Sequence, residues 1–249
     1  MKILFTICGR AGSKGVKNKN LKPFLGKPLP YYTVSAIDVF LKKTKLSFEY
    51  DIVVNSDSPE LISMLVDNKK LRIEAIDRNA ELGGDTVGKI DVINNCLEIM
   101  QQRHGVEYDC VVDLDITSPL RTAADVENVI KTHIEKSPDV TTTVAPARRN
   151  PYFNQVKRTE HGFKKVIESN YTARQQAPEI FDMNASIYAY SPVFLKTNKG
   201  VLSGYCECVE MNDTGILDID HENDLELMEV IAKYFFDHKP DFREIFENI

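Results

Sequence analysis

Short apolar runs alternate with segments of helical periodicity through the first half of the chain, and this alternation restricts the fold more than any other feature. Residues 2–8 read as a strand, and residues 29–43 as a helix with Tyr32, Ala36, Val39 and Phe40 on one face. Asp51-Ile52-Val53-Val54-Asn55 is a second strand; Ser58 then caps a helix that has Pro59 in its first turn. A third strand covers 71–76. Residues 87–102 carry Val87, Ile90, Ile93, Asn94 and Leu97 at helical spacing, with Asp85 or Thr86 as candidate caps. The run Asp109–Asp115 is a fourth strand ending in carboxylates, and Thr122 caps a helix over 122–136. Such alternation predicts a parallel sheet with helices on both faces. Ligands of such sheets sit beyond the C-terminal strand ends.

The pattern changes at 139–190. Strand-like runs at Val140–Ala145, Tyr152–Val156, Phe163–Ile167 and Ala185–Tyr190 follow one another with no long helix between them, as in an inserted antiparallel element. The α/β pattern resumes from Gly204 and closes with a helix over 222–236. The expectation is one domain over 1–249 with an excursion at 139–190. A net charge of −6 disfavours a nucleic-acid partner. Of the five cysteines, Cys8, Cys96 and Cys110 sit in apolar patterns, and Cys206 and Cys208 share one face of a strand. Zinc-finger spacing is missing. With no secretory h-region and no long apolar run, the expectation is a cytoplasmic protein without membrane association.

The first strand empties into Gly9-Arg10-Ala11-Gly12-Ser13-Lys14-Gly15, and Lys17, Lys19 and Lys22 follow. Glycines let backbone N–H groups approach phosphate oxygens, and the cations neutralise them. The spacing is neither a Walker A motif nor a dinucleotide fingerprint, so the loop reads as a polyphosphate site of another kind or as a turn with solvated lysines.

Four further clusters stand at element ends. Arg78-Asn79-Ala80-Glu81-Leu82-Gly83-Gly84-Asp85-Thr86 offers Arg78 and Asp85 to a base, ribose or phosphate. Asp113 and Asp115 lie on one face of a strand; they suit either a hydrated Mg²⁺ or a bond to the turn at Thr117 and Ser118. Asp218-Ile219-Asp220 repeats that spacing before a helix, with metal binding and capping as its two readings. Arg174 can pair with a carboxylate, and Asn184 and Ser186 can read hydroxyls. No histidine stands in a triad or H-E-x-x-H setting, which leaves phosphate chemistry by positioning and charge.

In this order the segments resemble the acylneuraminate cytidylyltransferases. The likeness rests on Arg10–Gly15 with Lys19-Asn20, Arg78–Leu82 with Asp85-Thr86, Thr117-Ser118-Pro119-Leu120-Arg121, Arg174-Gln175-Gln176 and Asp218-Ile219-Asp220. It implies a Rossmann-like nucleotidyltransferase fold, CTP and a nonulosonic acid as substrates, and a homodimer whose inserted arm reaches the neighbouring site. It implies a CTP site of Arg10, Gly12, Ser13, Lys14, Lys19, Asn20, Arg78 and Asp85, with Arg10, Lys14, Lys19 and Asp218 catalytic. Mg²⁺ falls to Asp218 and Asp220. The sugar falls to Asp115, Thr117, Ser118, Arg121, Arg174, Gln175, Asn184 and Tyr188. Sialic acid members commonly carry Gln-Pro where this chain has Asp115-Ile116, and Asn-Gly where it has Asn184-Ala185; the bacterial legionaminate branch is the nearer likeness. An acidic residue near the sugar favours an amino- or acetamido-bearing substrate. A glycosyltransferase using a nucleotide-sugar, an enzyme activating the eight-carbon acid Kdo, and a non-catalytic nucleotide binder are the alternatives.

Overall fold

Strand β1 (Lys2–Cys8) divides its side chains between two cores. Ile3, Phe5 and Ile7 enter one and Leu4 the other, as period-two alternation demands of a strand buried on both faces. The computed structural model describes residues 1–12, 18–84, 87–197, 200–212, 219 and 221–249.

After β1 come the short β2 (Pro23–Phe24) and β3 (Lys27–Pro28), then α1 (Leu29–Lys43), over the range its periodicity predicts. Next are β4 (Glu49–Ser56), α2 (Pro59–Val66), β5 (Glu74–Asp77), α3 (Lys89–His104), β6 (Cys110–Leu114) and α4 (Ala123–Lys136). Ser58 accepts from the Leu61 amide at 3.3 Å, so the predicted cap of α2 is present. Thr122 caps α4 in a box with Asp125, the amide of each bonding the side chain of the other. At α3 the N-cap is Gly88, two residues beyond Thr86. The third strand starts at Glu74, later than predicted, because Asn68 folds the preceding stretch into a turn: its amide donates to Leu65 and Leu71 carbonyls and its oxygen accepts from Lys70 and Leu71 amides.

The remaining elements are β7 (Val140–Pro146), β8 (Val156–Thr159), β9 (Gly162–Lys165), β10 (Phe181–Tyr190), α5 (Pro192–Leu195), β11 (Cys206–Glu210), α6 (Glu222–His238) and α7 (Pro240–Glu247). Among the described residues, seven strands form one sheet in the order β11-β7-β10-β6-β1-β4-β5, and β10 alone runs against its neighbours. Segment 139–190 is therefore divided. Strands β7 and β10 belong to the sheet, and the stretch between them carries the separate β8–β9 hairpin. Of the run predicted as a strand at Tyr152–Val156, only Val156 lies in one, at the start of β8; the residues before it turn instead, because the Asn150 carbonyl gathers the amides of Phe153, Asn154 and Gln155.

Helices α1, α2, α4, α6 and α7 cover one face; α3 and α5 cover the other. The predicted α/β class, mostly parallel with helices on both faces, holds. Among the described residues no helix is long and apolar enough to cross a membrane.

One irregularity shapes the site. Met183 of β10 stands opposite Val144 and Tyr188 opposite Thr142, so residues 184–187 face Thr143 alone. Ala185 takes a positive φ of 52° in this bulge. Thr143 fills the gap: its hydroxyl donates to Asn184 Oδ1 at 2.5 Å and accepts from the Ile187 amide at 3.2 Å. The Ser186 carbonyl then accepts from the Asp115 amide at 3.1 Å, across the end of β6.

Candidate active site

The parallel strands β1, β4, β5 and β6 end at one edge of the sheet, level with one another. Cys8 pairs with Asn55, Ser56 with Asp77, and Thr6 with Asp113. The predicted clusters at the ends of β1, β5 and β6 therefore share one edge.

Gly9 leaves β1 against Leu61, Ile116 and Asn20. A Cβ there would stand 2.5 Å from Leu61 Cδ2 and 2.9 Å from Ile116 Cδ1. The Gly9 amide donates to the Asn55 carbonyl at 3.2 Å, and the Ala11 amide to Asp57 Oδ1 at 2.6 Å. Gly12 adopts a φ of +72°, where a side chain would be strained. Asn20, buried in a 3-10 turn at Lys19–Leu21, donates to the Arg10 carbonyl at 3.1 Å. The loop is thus tied at both ends, with Arg10 and Lys19 half-buried on it. Ser13 and Lys14 lie outside the described residues.

Arg78 joins this loop through Asn55. Its Nε donates to Asn55 Oδ1 at 2.7 Å and its guanidinium to the Asn55 carbonyl at 2.9 Å. That carbonyl also receives the Gly9 amide, so one residue at the tip of β4 couples both expected nucleotide segments. Asp85 lies outside the described residues. The sequence reading missed Asn55 and Asp57, which make their contacts across the sheet edge.

The third cluster centres on Lys89, also missed. Its ammonium stands 2.7 Å from Asp113 Oδ2 and 2.6 Å from Asp115 Oδ2. Asp113 is fully buried, and its other oxygen accepts from Thr6 at 2.7 Å. Asp115 Oδ1 accepts from the amide and hydroxyl of Thr117, at 3.0 and 2.9 Å. Burial opposes charge on Lys89, yet Asp113 and Asp115 hold its pKa well above the ordinary range. Burial likewise works against the Asp115 carboxylate, and Lys89 with Thr117 outweighs it, taking the pKa down to about 2. As they stand, these two carboxylates do not fit a divalent cation, because a lysine holds the place between them. The Tyr188 ring lies alongside, with its centroid 5.9 Å from the ammonium.

Beneath this cluster Arg121 has no exposed surface. It donates to the carbonyls of Asp115, Ser118 and Ser186. The structure therefore places Arg121 under the 115–121 loop, where its guanidinium is occupied by backbone; Ser118 and Asn184 are buried with it. Thr117 is bound to Asp115. Arg174 and Gln175 are exposed on the segment between β9 and β10, where Arg174 donates to the Ala147 carbonyl at 3.0 Å. No hydrogen bond joins them to the strand-end clusters among the described residues.

Asp218 and Asp220 lie outside the described residues; Ile219 between them is fully buried in the core containing Met211 and Met228. Among the described residues, no group of three or more His, Cys, Asp and Glu side chains converges as a metal site.

A sequence family described as cytidylyltransferase matches residues 4–236. A protein named post-translational flagellin modification protein B, from Campylobacter coli, is 35% identical over 93% of this chain and 95% of its own. The CMP-N,N'-diacetyllegionaminic acid synthase of Campylobacter jejuni subsp. jejuni is 34% identical, covering 92% of this chain and 94% of that protein. Among solved structures, a CMP:2-keto-3-deoxy-manno-octonic acid synthetase complexed with CTP superposes with a TM-score of 0.63 at 18% identity, over 94% of this chain and 99% of that one; at that identity the likeness concerns the fold.

Proposed function

The chain belongs to the cytidylyltransferase family, and from that premise we propose that it transfers CMP from CTP to the anomeric hydroxyl of a nonulosonic acid, releasing pyrophosphate. The observation that carries this reading is the glycine loop tied to Asn55 beside Arg78, a cation-bearing cradle at the ends of parallel strands. The relatives named for legionaminic acid activation support the choice of acceptor.

The anomeric oxygen attacks the α-phosphorus in line. The new P–O bond forms as the bond to the β-phosphate oxygen breaks, and the hydroxyl gives up its proton. Arg10, Lys14 and Lys19, with Gly12, Ser13 and Asn20, hold the triphosphate and stabilise the leaving pyrophosphate. Arg78 and Asp85 take the nucleoside. Asp115, Thr117 and Tyr188 face the sugar from the sheet. Ser118, Arg121 and Asn184 support that loop from below, and Arg174 with Gln175 approaches from the inserted segment. Asp218 and Asp220 are carboxylates two residues apart, the oxygen donors that Mg²⁺ takes. When bound there, the ion neutralises charge developing on the phosphate oxygens.

A homodimer completes the proposal. Val156 and Phe163 on the β8–β9 hairpin are 58% and 62% exposed, and Ile167, Phe181 and Met183 nearby in the chain are exposed too; such apolar side chains are suited to burial against a second copy. Use of CTP as a substrate supports a cytoplasmic setting for the reaction.

The test is pyrophosphate release with CTP, Mg²⁺ and a panel of N-acetylneuraminate, N,N'-diacetyllegionaminate, pseudaminate and Kdo. Release that depends on one nine-carbon acid is the expected result. Kdo-dependent release alone, or no release with any acid, overturns the reading. Asp218→Ala is expected to lower turnover by at least about a hundredfold; near-normal turnover rejects the metal assignment.

A further inference from the structure

We propose that Lys89 is a specificity-determining residue of the sugar site: it fixes Asp115 as an ionised acceptor whose one open lone pair selects a sugar acid with a hydrogen-bond donor on its uncharged end. This rests on the cytidylyltransferase reading and goes beyond it by assigning a task to a lysine at the start of α3.

The hydrogen-bond count carries the argument. A carboxylate offers about four acceptor positions. Thr117 takes both on Oδ1 of Asp115, and Lys89 takes one on Oδ2. One remains. The Asp115 side chain is 21% exposed and that of Lys89 33%, so the pair can be reached from outside. Asp113, fully buried, exposes nothing. Its part is to anchor Lys89 from beneath, with Thr6 holding its other oxygen. Two carboxylates thus share one ammonium.

The partly exposed Asp115 carboxylate orients the substrate. A nonulosonic acid is anionic at the carboxylate next to its anomeric carbon and uncharged along its tail. Like charge keeps the carboxylate away from Asp115. The tail is left to meet Asp115, where an amide N–H satisfies the acceptor and a hydrogen atom in its place leaves the acceptor unbonded. Sites built this way reject the analogue that lacks the donor.

The experiment uses N,N'-diacetyllegionaminate and two analogues in which each acetamido group in turn is replaced by hydrogen. Pyrophosphate release gives kcat/KM for each, and the ratio to the parent sugar is taken within each variant, so a general loss of activity divides out. The wild-type enzyme is expected to lose at least about tenfold with one analogue. In Lys89→Met and in Asp115→Asn that ratio should fall to within about twofold of unity, with the change in the KM for sugar rather than for CTP. Lys89→Met leaves the buried Asp113 without its cation. The double variant Lys89→Met/Asp113→Asn removes that burden, and thermal melting reports whether each protein folds. Wild-type ratios near unity for both analogues, or a wild-type preference that persists in folded Lys89→Met/Asp113→Asn and in Asp115→Asn, overturn the assignment of Lys89 and leave the cytidylyltransferase reading standing. No release from the parent sugar with the wild-type enzyme overturns the use of that acceptor, and this assignment with it.

Discussion

Gly9 is the residue with the least room to change. Alanine there drives a methyl into Leu61 and Ile116, both packed in the core. We expect Gly9→Ala to cost about 1–3 kcal/mol in urea unfolding and to raise the KM for CTP, because the loop leaves β1 at that point. Arg121 is the opposite case, a buried charge that donates to the backbone carbonyls of Asp115, Ser118 and Ser186. Arg121→Met removes the donors to Ser118 and Ser186 without opening the surface, and should destabilise by roughly 2–4 kcal/mol. A Met variant of wild-type stability would contradict the buried role. The sequence invites a ligand role for Arg121 because it closes the Thr-Ser-Pro-Leu-Arg run; two of its acceptors are nearby in sequence, but the third belongs to Ser186, 65 positions on. Lys89 escapes notice for the same reason. A lysine in the first turn of a helix reads as surface, and its partners lie beyond the far end of that helix.

At the scale of elements, helices were legible where caps and periodicity agreed: Ser58-Pro59 before α2, Thr122 before α4, and the apolar face of α1. Strands were less so where local hydrogen bonds divert the chain, as those of the Asn68 side chain do before β5 and those to the Asn150 carbonyl do before β8. The run of β10 through Phe181 and Met183 was hidden because its bulge breaks the alternation, and Asn184 and Thr143 mend it only across strands. Helix α7 went unread beyond the helix predicted at 222–236. The β8–β9 hairpin is two short strands outside the large sheet, and a lone hairpin is marginal in water. It carries Phe163 and Val156 exposed, the residues on which the proposed dimer rests. For that proposal, Phe163→Glu is expected to shift sedimentation to a monomer; a sedimentation coefficient unchanged from the wild type would count against a dimer formed through the hairpin.

For the molecule as a whole, acid sensitivity has an identifiable source. His133 on α4 is buried against β7, and burial takes its pKa down to about 4. In the unfolded chain it titrates near its ordinary value, so between those limits the unfolded state binds the extra proton. Stability is complete above about pH 6.5 and falls as the pH drops toward 4, by about 3 kcal/mol in all. His133→Gln should flatten that part of the stability profile, read from urea midpoints at pH 7 and pH 4.5. The sheet order itself was legible only as a class, since nothing local states that β10 enters between β6 and β7. Chain closure was equally hidden: Ser35 of α1 donates to the Ile245 carbonyl, and Asn248 donates to Asp38. Helix α1 therefore finishes packing only against α7 and the residues just after it. During synthesis α7 must emerge before α1 is covered, and a product truncated before α7 carries an open α1 face that quality-control proteases can recognise.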